Sequence, residues 1–226
     1  MTKEKRVFVI GLPKTGLTSL LKAFRYLGYS AHGTNKPALK SYQRNDLRFV
    51  YNYLDQYEAF FDWPIPILYK EAYRRYGDES LYILSLRRSP REWVESLKRH
   101  SMQAHPVKSW FPTLYGYRWP HGFEVQFESF YESYNVETVR FFEENFASAQ
   151  LLEFCSEAGD SWPNLCNFIG CDAPVGIPFP RENVSKERKI KAFRLIYNTV
   201  ASRLYGRLAP AIMSGHPVHL PQCDRY

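Results

Sequence analysis

The chain has 226 residues, 45% of them apolar and 17% aromatic, which is enough to bury a sizeable core in one domain. Its formal charge is +7 and its sequence pI is near 9.2, which favours anionic partners without choosing among nucleotides, phosphates, sulfates, nucleic acid or an acidic membrane. Cys155, Cys166, Cys171 and Cys223 make no C-x-x-C pair, and no apolar run approaches the 20 or so residues of a membrane helix. The expectation is a soluble cytoplasmic protein with reduced thiols and no membrane segment of its own.

In chain order, the run 6–10 (Arg-Val-Phe-Val-Ile) reads as a buried strand. Gly11-Leu12-Pro13-Lys14-Thr15-Gly16-Leu17-Thr18-Ser19 follows as a tight turn, and Leu20, Leu21, Phe24 and Leu27 recur at helical spacing. Glycines that let an anion approach the backbone, a lysine, hydroxyls and a helix N-terminus together make a phosphate cradle. Residues 33–37 read as a polar loop and 46–56 as a helix. Residues 59–61 form a short strand stopped by Asp62-Trp63-Pro64, and 67–76 a second helix. Residues 81–86 are another strand, ending at Arg87-Arg88-Ser89-Pro90, with Pro90 suited to the first turn of the next helix.

From about 100 to 134 the sequence is aromatic and proline-rich with little periodicity, and reads as a lid or substrate-binding insertion. Tyr115, Tyr117, Trp119 and Phe123 in it suit either an acceptor pocket or packing of the insertion on itself. A helix over 135–146, a strand over 150–154, a helix over 161–169 and a rigid Pro178-Phe179-Pro180 loop follow. A last helix over 186–208 leads to a tail over 209–226. Strands alternating with helices predict one α/β domain over 1–226, a three-layer, P-loop-type parallel sheet flanked by helices. The cradle, Asp62 and Arg87-Arg88 all fall at strand carboxyl ends, where such sheets bind ligands.

The cradle is not a Walker A loop. Gly11 and Gly16 have that spacing, but Leu17 holds the lysine position and Lys14 comes earlier. No strand ends in a convincing Walker B aspartate, so a P-loop kinase or nucleotide hydrolase stands as the alternative rather than the reading. Instead, G-L-P-K-T-G-x-T-S-L resembles the loop of sulfotransferases that use 3′-phosphoadenosine 5′-phosphosulfate (PAPS). A second family element, an arginine after a strand and a serine eight residues later, is matched by Arg88 and Ser96. Phe61-Asp62-Trp63-Pro64, Leu151-Leu152-Glu153-Phe154 and Pro178-Phe179-Pro180-Arg181 are similar to a single-domain soluble subgroup. The sequence departs from the family at Leu17, usually threonine, and at Ser89, often aspartate or asparagine; a relative that binds nucleotide but has lost catalysis is therefore a further alternative.

The resemblance implies sulfuryl transfer from PAPS to a hydroxyl or amine of a small molecule, lipid or carbohydrate, leaving 3′-phosphoadenosine 5′-phosphate (PAP). It implies no metal; separately, the sequence shows no recognised nucleic-acid module, so a non-enzymatic anion or nucleic-acid binder ranks last and no nucleic-acid partner is expected. Lys14 would neutralise the leaving oxygens. Gly11, Pro13, Thr15, Gly16, Leu17, Thr18 and Ser19 would hold the 5′-phosphosulfate, and Arg88 and Ser96 the 3′-phosphate, which arginine reads with two parallel hydrogen bonds. Apart from the resemblance, Arg181 suits closing over the nucleotide and at least equally the start of a solvated basic helix; Arg87 is better suited to a surface or structural role. An acceptor hydroxyl also needs a base. Asp62, at the end of a strand beside the cradle, is the first candidate and His32, whose ring suits proton transfer, the second, ahead of His100 and His105; Asp62 equally suits a helix cap or a turn residue before Trp-Pro, and His32 a surface loop.

Overall fold

The computed structural model describes residues 5–102, 115, 119–181, 193, 196–201, 203 and 204. The chain groups into two compact units, Met1–Arg88 with Asn135–Val184, and Ser89–Tyr134 with Ser185–Tyr226.

The first unit is an α/β fold. Its elements are β1 (Arg6–Val9), α1 (Leu17–Tyr26), β2 (Ala31–His32), α2 (Lys36–Gln43), α3 (Leu47–Leu54), β3 (Ala59–Phe61), α4 (Ile65–Tyr76) and β4 (Ser80–Ser85). After α5 (Pro90–Ser101) of the second unit and α6 (Glu124–Glu144), it resumes with β5 (Leu151–Phe154) and α7 (Trp162–Ile169). The five strands are all parallel, in the order β2-β3-β1-β4-β5. Parallel sheets are covered on both faces, and so every residue of β4 is buried. On one face Val7, Val9, Phe61 and Ile83 pack with Leu20 and Phe24 of α1 and Leu165 of α7. On the other Phe8 stacks between Phe60 and Tyr82 at 5.0 and 5.4 Å, and Phe142 of α6 lies 4.7 Å from Tyr82.

This sandwich positions the site. β1 leads into α1 on one face, and β3 leads into α4, whose Tyr73 meets the Tyr82 ring, on the other. Adjacent strands that feed opposite faces leave a crevice above their carboxyl ends, the usual ligand position in an open α/β sheet. The loops 11–16 and 62–64 border it.

Three expectations need correction. Residues 33–37 are not simply a loop. Ala31–His32 is an edge strand against β3, and α2 begins at Lys36, capped by the Asn35 side chain, which accepts from the Ala38 amide at 2.9 Å. The irregular stretch expected over 100–134 is bounded by helix: α5 reaches Ser101 and α6 starts at Glu124, not at 135. Phe123, Phe127, Tyr131, Tyr134, Thr138 and Phe142 are buried at steps of three or four, so the helical period is present. Additional aromatics between them, such as Phe130, mask it. Helix α4 also starts earlier, at Ile65, because proline fits its first turn.

In the second unit Trp93 stacks on Tyr131 at 4.9 Å, and Tyr115 packs edge-on against Trp93 and Phe130. Tyr115, Trp119 and Phe123 are buried, which favours internal packing over an exposed pocket wall. Tyr117 and the tail 209–226 lie outside the described residues, as does most of 103–118. Of the last expected helix, residues 193, 196–201, 203 and 204 are helical. Cys155, Cys166 and Cys171 are free thiols. No helix among the described residues is long and apolar enough to cross a membrane.

Candidate functional site

The loop after β1 is held by its neighbours rather than by its own sequence alone. Gly11 lies against β4 so closely that a Cβ built on it would stand 2.0 Å from Ser85 Oγ and 2.4 Å from the Ser85 carbonyl oxygen. Gly11→Ala must therefore push β1 and β4 apart. Overpacking of this kind costs about 3 kcal/mol, and a melting temperature lower by about 10 °C is expected at this chain length, readable by circular dichroism. The same Ser85 hydroxyl lies 2.6 Å from Thr15 Oγ1, which also donates to the Leu12 carbonyl at 2.6 Å. The Thr15 side chain, expected on the cofactor, thus braces the loop in this structure.

Lys14 and Gly16 both have positive φ, 78° and 93°. Left-handed residues at alternate positions turn successive amides toward one side, the geometry of an anion nest. Gly16 is also the N-cap of α1, and glycine supplies no side-chain acceptor there. No acidic residue sits in the first turn, so nothing of the helix's own neutralises its positive end. Ser19 is buried and Thr18 exposed. Pro13 and Lys14 are half-buried.

Leu17 has a structural explanation. Its side chain is buried with Leu20, Phe24, Phe154 and Trp162 in the core beneath the loop. A lysine in the Walker position is replaced by a residue that anchors the helix. Ser89 is likewise explained: it caps α5 by accepting from the Glu92 amide at 3.2 Å, a task shared by aspartate and asparagine.

The two arginines after β4 divide their work. Arg87 Nε donates to the Lys14 carbonyl at 2.6 Å, and its guanidinium pairs with the Glu157 carboxylate. It therefore clamps the loop from behind, the structural role expected of it. Arg88 is exposed, and its Nε donates to the Glu157 backbone carbonyl at 2.9 Å, with Nη2 on the same oxygen. The turn 155–160 that carries Glu157 is closed by Asp160, whose carboxylate accepts from the Cys155 amide at 2.7 Å. A Cβ on Gly16 would lie 3.7 Å from Ser156 Oγ in that turn. Loop, arginines and turn thus form one assembly. Glu157 was not foreseen from sequence; its place just beyond the fourth long apolar run was the only signal. Ser96 belongs to the second unit, where it is buried on α5. Arg181 is exposed beyond the Pro-Phe-Pro loop, whose Phe179 packs on Phe154 and Trp162.

The base candidates stand at the ends of β2 and β3. His32 is half-buried, stacked on Tyr57 at 4.5 Å, with Nδ1 3.2 Å from the Tyr53 hydroxyl. Burial, then the neighbouring Tyr57 and Asp62, pushes the Tyr53 hydroxyl up from its ordinary value, so it stays protonated. Asp62 has φ 62°, uncommon outside glycine. Its Oδ2 accepts from Thr34 Oγ1 at 2.6 Å, whereas Oδ1 is shielded from solvent and accepts no hydrogen bond among the described residues. Of the structural roles considered for Asp62, the helix cap does not fit, whereas the turn before Trp63-Pro64 does. The N-cap of α4 is Pro64, with no side-chain cap bond, and the Ile65 amide is taken by the Asp62 backbone carbonyl at 2.9 Å.

The arrangement can bind an anion on the amides of the loop, set a lysine beside it and offer a carboxylate oxygen from the next strand. Among the described residues no group of His, Cys, Asp and Glu side chains could hold a metal ion. No curated protein matches the chain. The sequence model of a family described as a sulfotransferase domain matches residues 6–188, a span that holds the loop, both arginines and Asp62, and so the chain belongs to the sulfotransferase domain family.

Proposed function

We propose that this sulfotransferase-domain protein takes its sulfuryl group from PAPS and passes it to a hydroxyl or amine of a small-molecule, lipid or carbohydrate acceptor. The observation that carries this reading is the loop 11–16, with positive φ at Lys14 and Gly16 opening onto an uncapped α1 that has no acid in its first turn. Such a loop suits a 5′-phosphosulfate, held by the amides of Thr15, Gly16 and Leu17 and by the Thr18 and Ser19 hydroxyls. The kinase alternative loses ground because Leu17, in the Walker lysine position, is part of the core.

Lys14 would stabilise the negative charge that grows on the oxygen between sulfur and phosphorus as that bond breaks. Arg88 would take the nucleotide 3′-phosphate. Five N–H groups on one guanidinium allow it to keep the Glu157 carbonyl and still donate to a phosphate. The part of Ser96 in holding that phosphate rests on motif spacing. Asp62 is favoured over His32 as the base, since Oδ1 has no partner among the described residues, while His32 meets the Tyr53 hydroxyl through Nδ1 and has only Nε2 to offer.

Titration calorimetry with PAP tests the donor reading. Micromolar or tighter binding is expected for the intact chain. Arg88→Ala is expected to weaken it by about tenfold or more, the value of a hydrogen bond to a charged group. Labelled-sulfate transfer from PAPS across acceptor classes then tests the reaction. Absence of PAP binding by the intact chain would sink the donor assignment; binding without transfer would favour a relative that has lost catalysis.

A further inference from the structure

Thr34 is not part of the sulfotransferase motifs, yet among the described residues its hydroxyl donates to the Asp62 carboxylate. We infer that Thr34 is a positioning residue for sulfuryl transfer, holding Asp62 Oδ2 so that Oδ1 is the oxygen left to take the acceptor's proton. The inference rests on the reading above, with Asp62 as base.

Both partners are fixed by the backbone. β2 pairs with β3 in the register His32 to Phe60, so two more residues along each chain place Thr34 beside Asp62. The pairing is continued by the Asn35 amide, which donates to the Trp63 carbonyl at 2.8 Å. Asn35 then caps α2 with its side chain, so the Thr34 hydroxyl is not needed for that helix. On the other side Asp62 is held at φ 62° by the turn that its carbonyl closes on Ile65. A left-handed aspartate in the crevice is the kind of backbone outlier that accompanies a functional constraint.

The two carboxylate oxygens have different surroundings. Oδ2 accepts a short bond from an exposed threonine. Oδ1 is buried and unpaired among the described residues. A shielded carboxylate oxygen without a donor is costly, and the cost is relieved when an acceptor O–H or N–H enters. The Asp62 side chain does not close the turn into α4, which the backbone carbonyl does instead. In the step, the acceptor O–H bond breaks and its proton goes to Oδ1. The acceptor oxygen's electron pair forms the new bond to sulfur. The bond from sulfur to the bridging oxygen breaks, its electrons leave on the 5′-phosphate of PAP, and the proton later passes from Asp62 to water. A carboxylate free to rotate would offer either oxygen; the Thr34 bond removes that choice.

The test uses the full chain labelled with carboxyl-¹³C aspartate, the Asp62 resonance being the one lost in Asp62→Asn. Thr34→Val, which keeps the β-branched shape without the hydroxyl, is expected to move that resonance, and Thr34→Ser to return it. PAP is expected to move it in the wild type. In turnover of labelled PAPS with water or phenol as acceptor, Thr34→Val is expected to lower kcat about tenfold, the scale of a slightly misplaced group. The donor KM should be unchanged, and Thr34→Ser should recover most of the rate. Thr34→Val combined with Asp62→Asn should be no slower than Asp62→Asn alone, since residues acting as a unit are not additive. An Asp62 resonance identical in wild type and Thr34→Val overturns the inference. So does a double variant whose losses multiply, or PAP that binds by calorimetry without moving Asp62. Failure of PAP to bind the wild type removes the donor reading instead, and the resonance in Thr34→Val still reports whether Thr34 governs the carboxylate.

Discussion

Lys14→Asn is expected to lower sulfuryl transfer by about 100- to 1,000-fold, the cost of removing one preorganised stabiliser of transition-state charge. The choice of asparagine matters. Lys14 sits at φ 78°, a region that asparagine enters more readily than alanine or any branched residue. The Lys14 carbonyl, which accepts from Arg87, is kept by any substitution, so the clamp behind the loop survives. Lys14→Asn therefore removes the ammonium and little else, and its melting curve should overlay that of the wild type. PAP affinity should fall by about tenfold or less, because the product lacks the bond on which charge develops and the amides of the loop still bind it. A kcat within twofold of wild type would show that the ammonium does not act on the leaving oxygens. Lys14→Ala alone would be harder to read, because it changes charge and backbone preference together.

The framework of the site was legible because it is local. The apolar run of β1, the two glycines and the helical spacing after them lie within about twenty consecutive residues, and each is dictated by short-range geometry. β3, β4, β5 and α7 were equally clear, as two buried strands, a partly exposed edge strand and a capped helix. β2 was not. Two residues, Ala31 and His32, carry no periodicity, and they form a strand only because β3 offers its edge. The start of α6 was obscured by aromatic residues on several faces, although its buried positions keep helical spacing. What completes the site is invisible in sequence for another reason. Thr34 meets Asp62 across 28 positions, and Arg87 meets Glu157 across 70. Such pairs follow from strand order, which no local pattern contains. Leu17 illustrates the converse: its presence in the loop was plain, but that it is a core residue required the face of α1 to be known.

Asp62→Asn carries the second large effect, a fall in kcat of about 100- to 10,000-fold, the range expected for a general base. The substitution is nearly isosteric and asparagine tolerates the positive φ of this position, so the loss should not come from unfolding. Its amide can still accept from Thr34 through the carbonyl oxygen. That leaves the NH₂ at the place of Oδ1, a donor where the acceptor hydroxyl must itself donate. The change thus reverses the hydrogen bond that starts the reaction rather than simply weakening it. Donor binding should be nearly unaffected, which separates Asp62 from Lys14 and Arg88. The identity of the base can also be tested through the acceptor. A phenol whose ionisation lies well below the pH of the assay arrives already deprotonated and needs no base, whereas unsubstituted phenol, with a pKa of about 10 like tyrosine, does. The Asp62→Asn deficit should therefore be large with phenol and small with 4-nitrophenol. Equal deficits with both would mean that Asp62 orders the acceptor without taking its proton. His32→Gln, measured beside it, should retain rates within a few fold, because His32 meets Tyr53 and Tyr57; a larger loss there than in Asp62→Asn would transfer the assignment to the histidine.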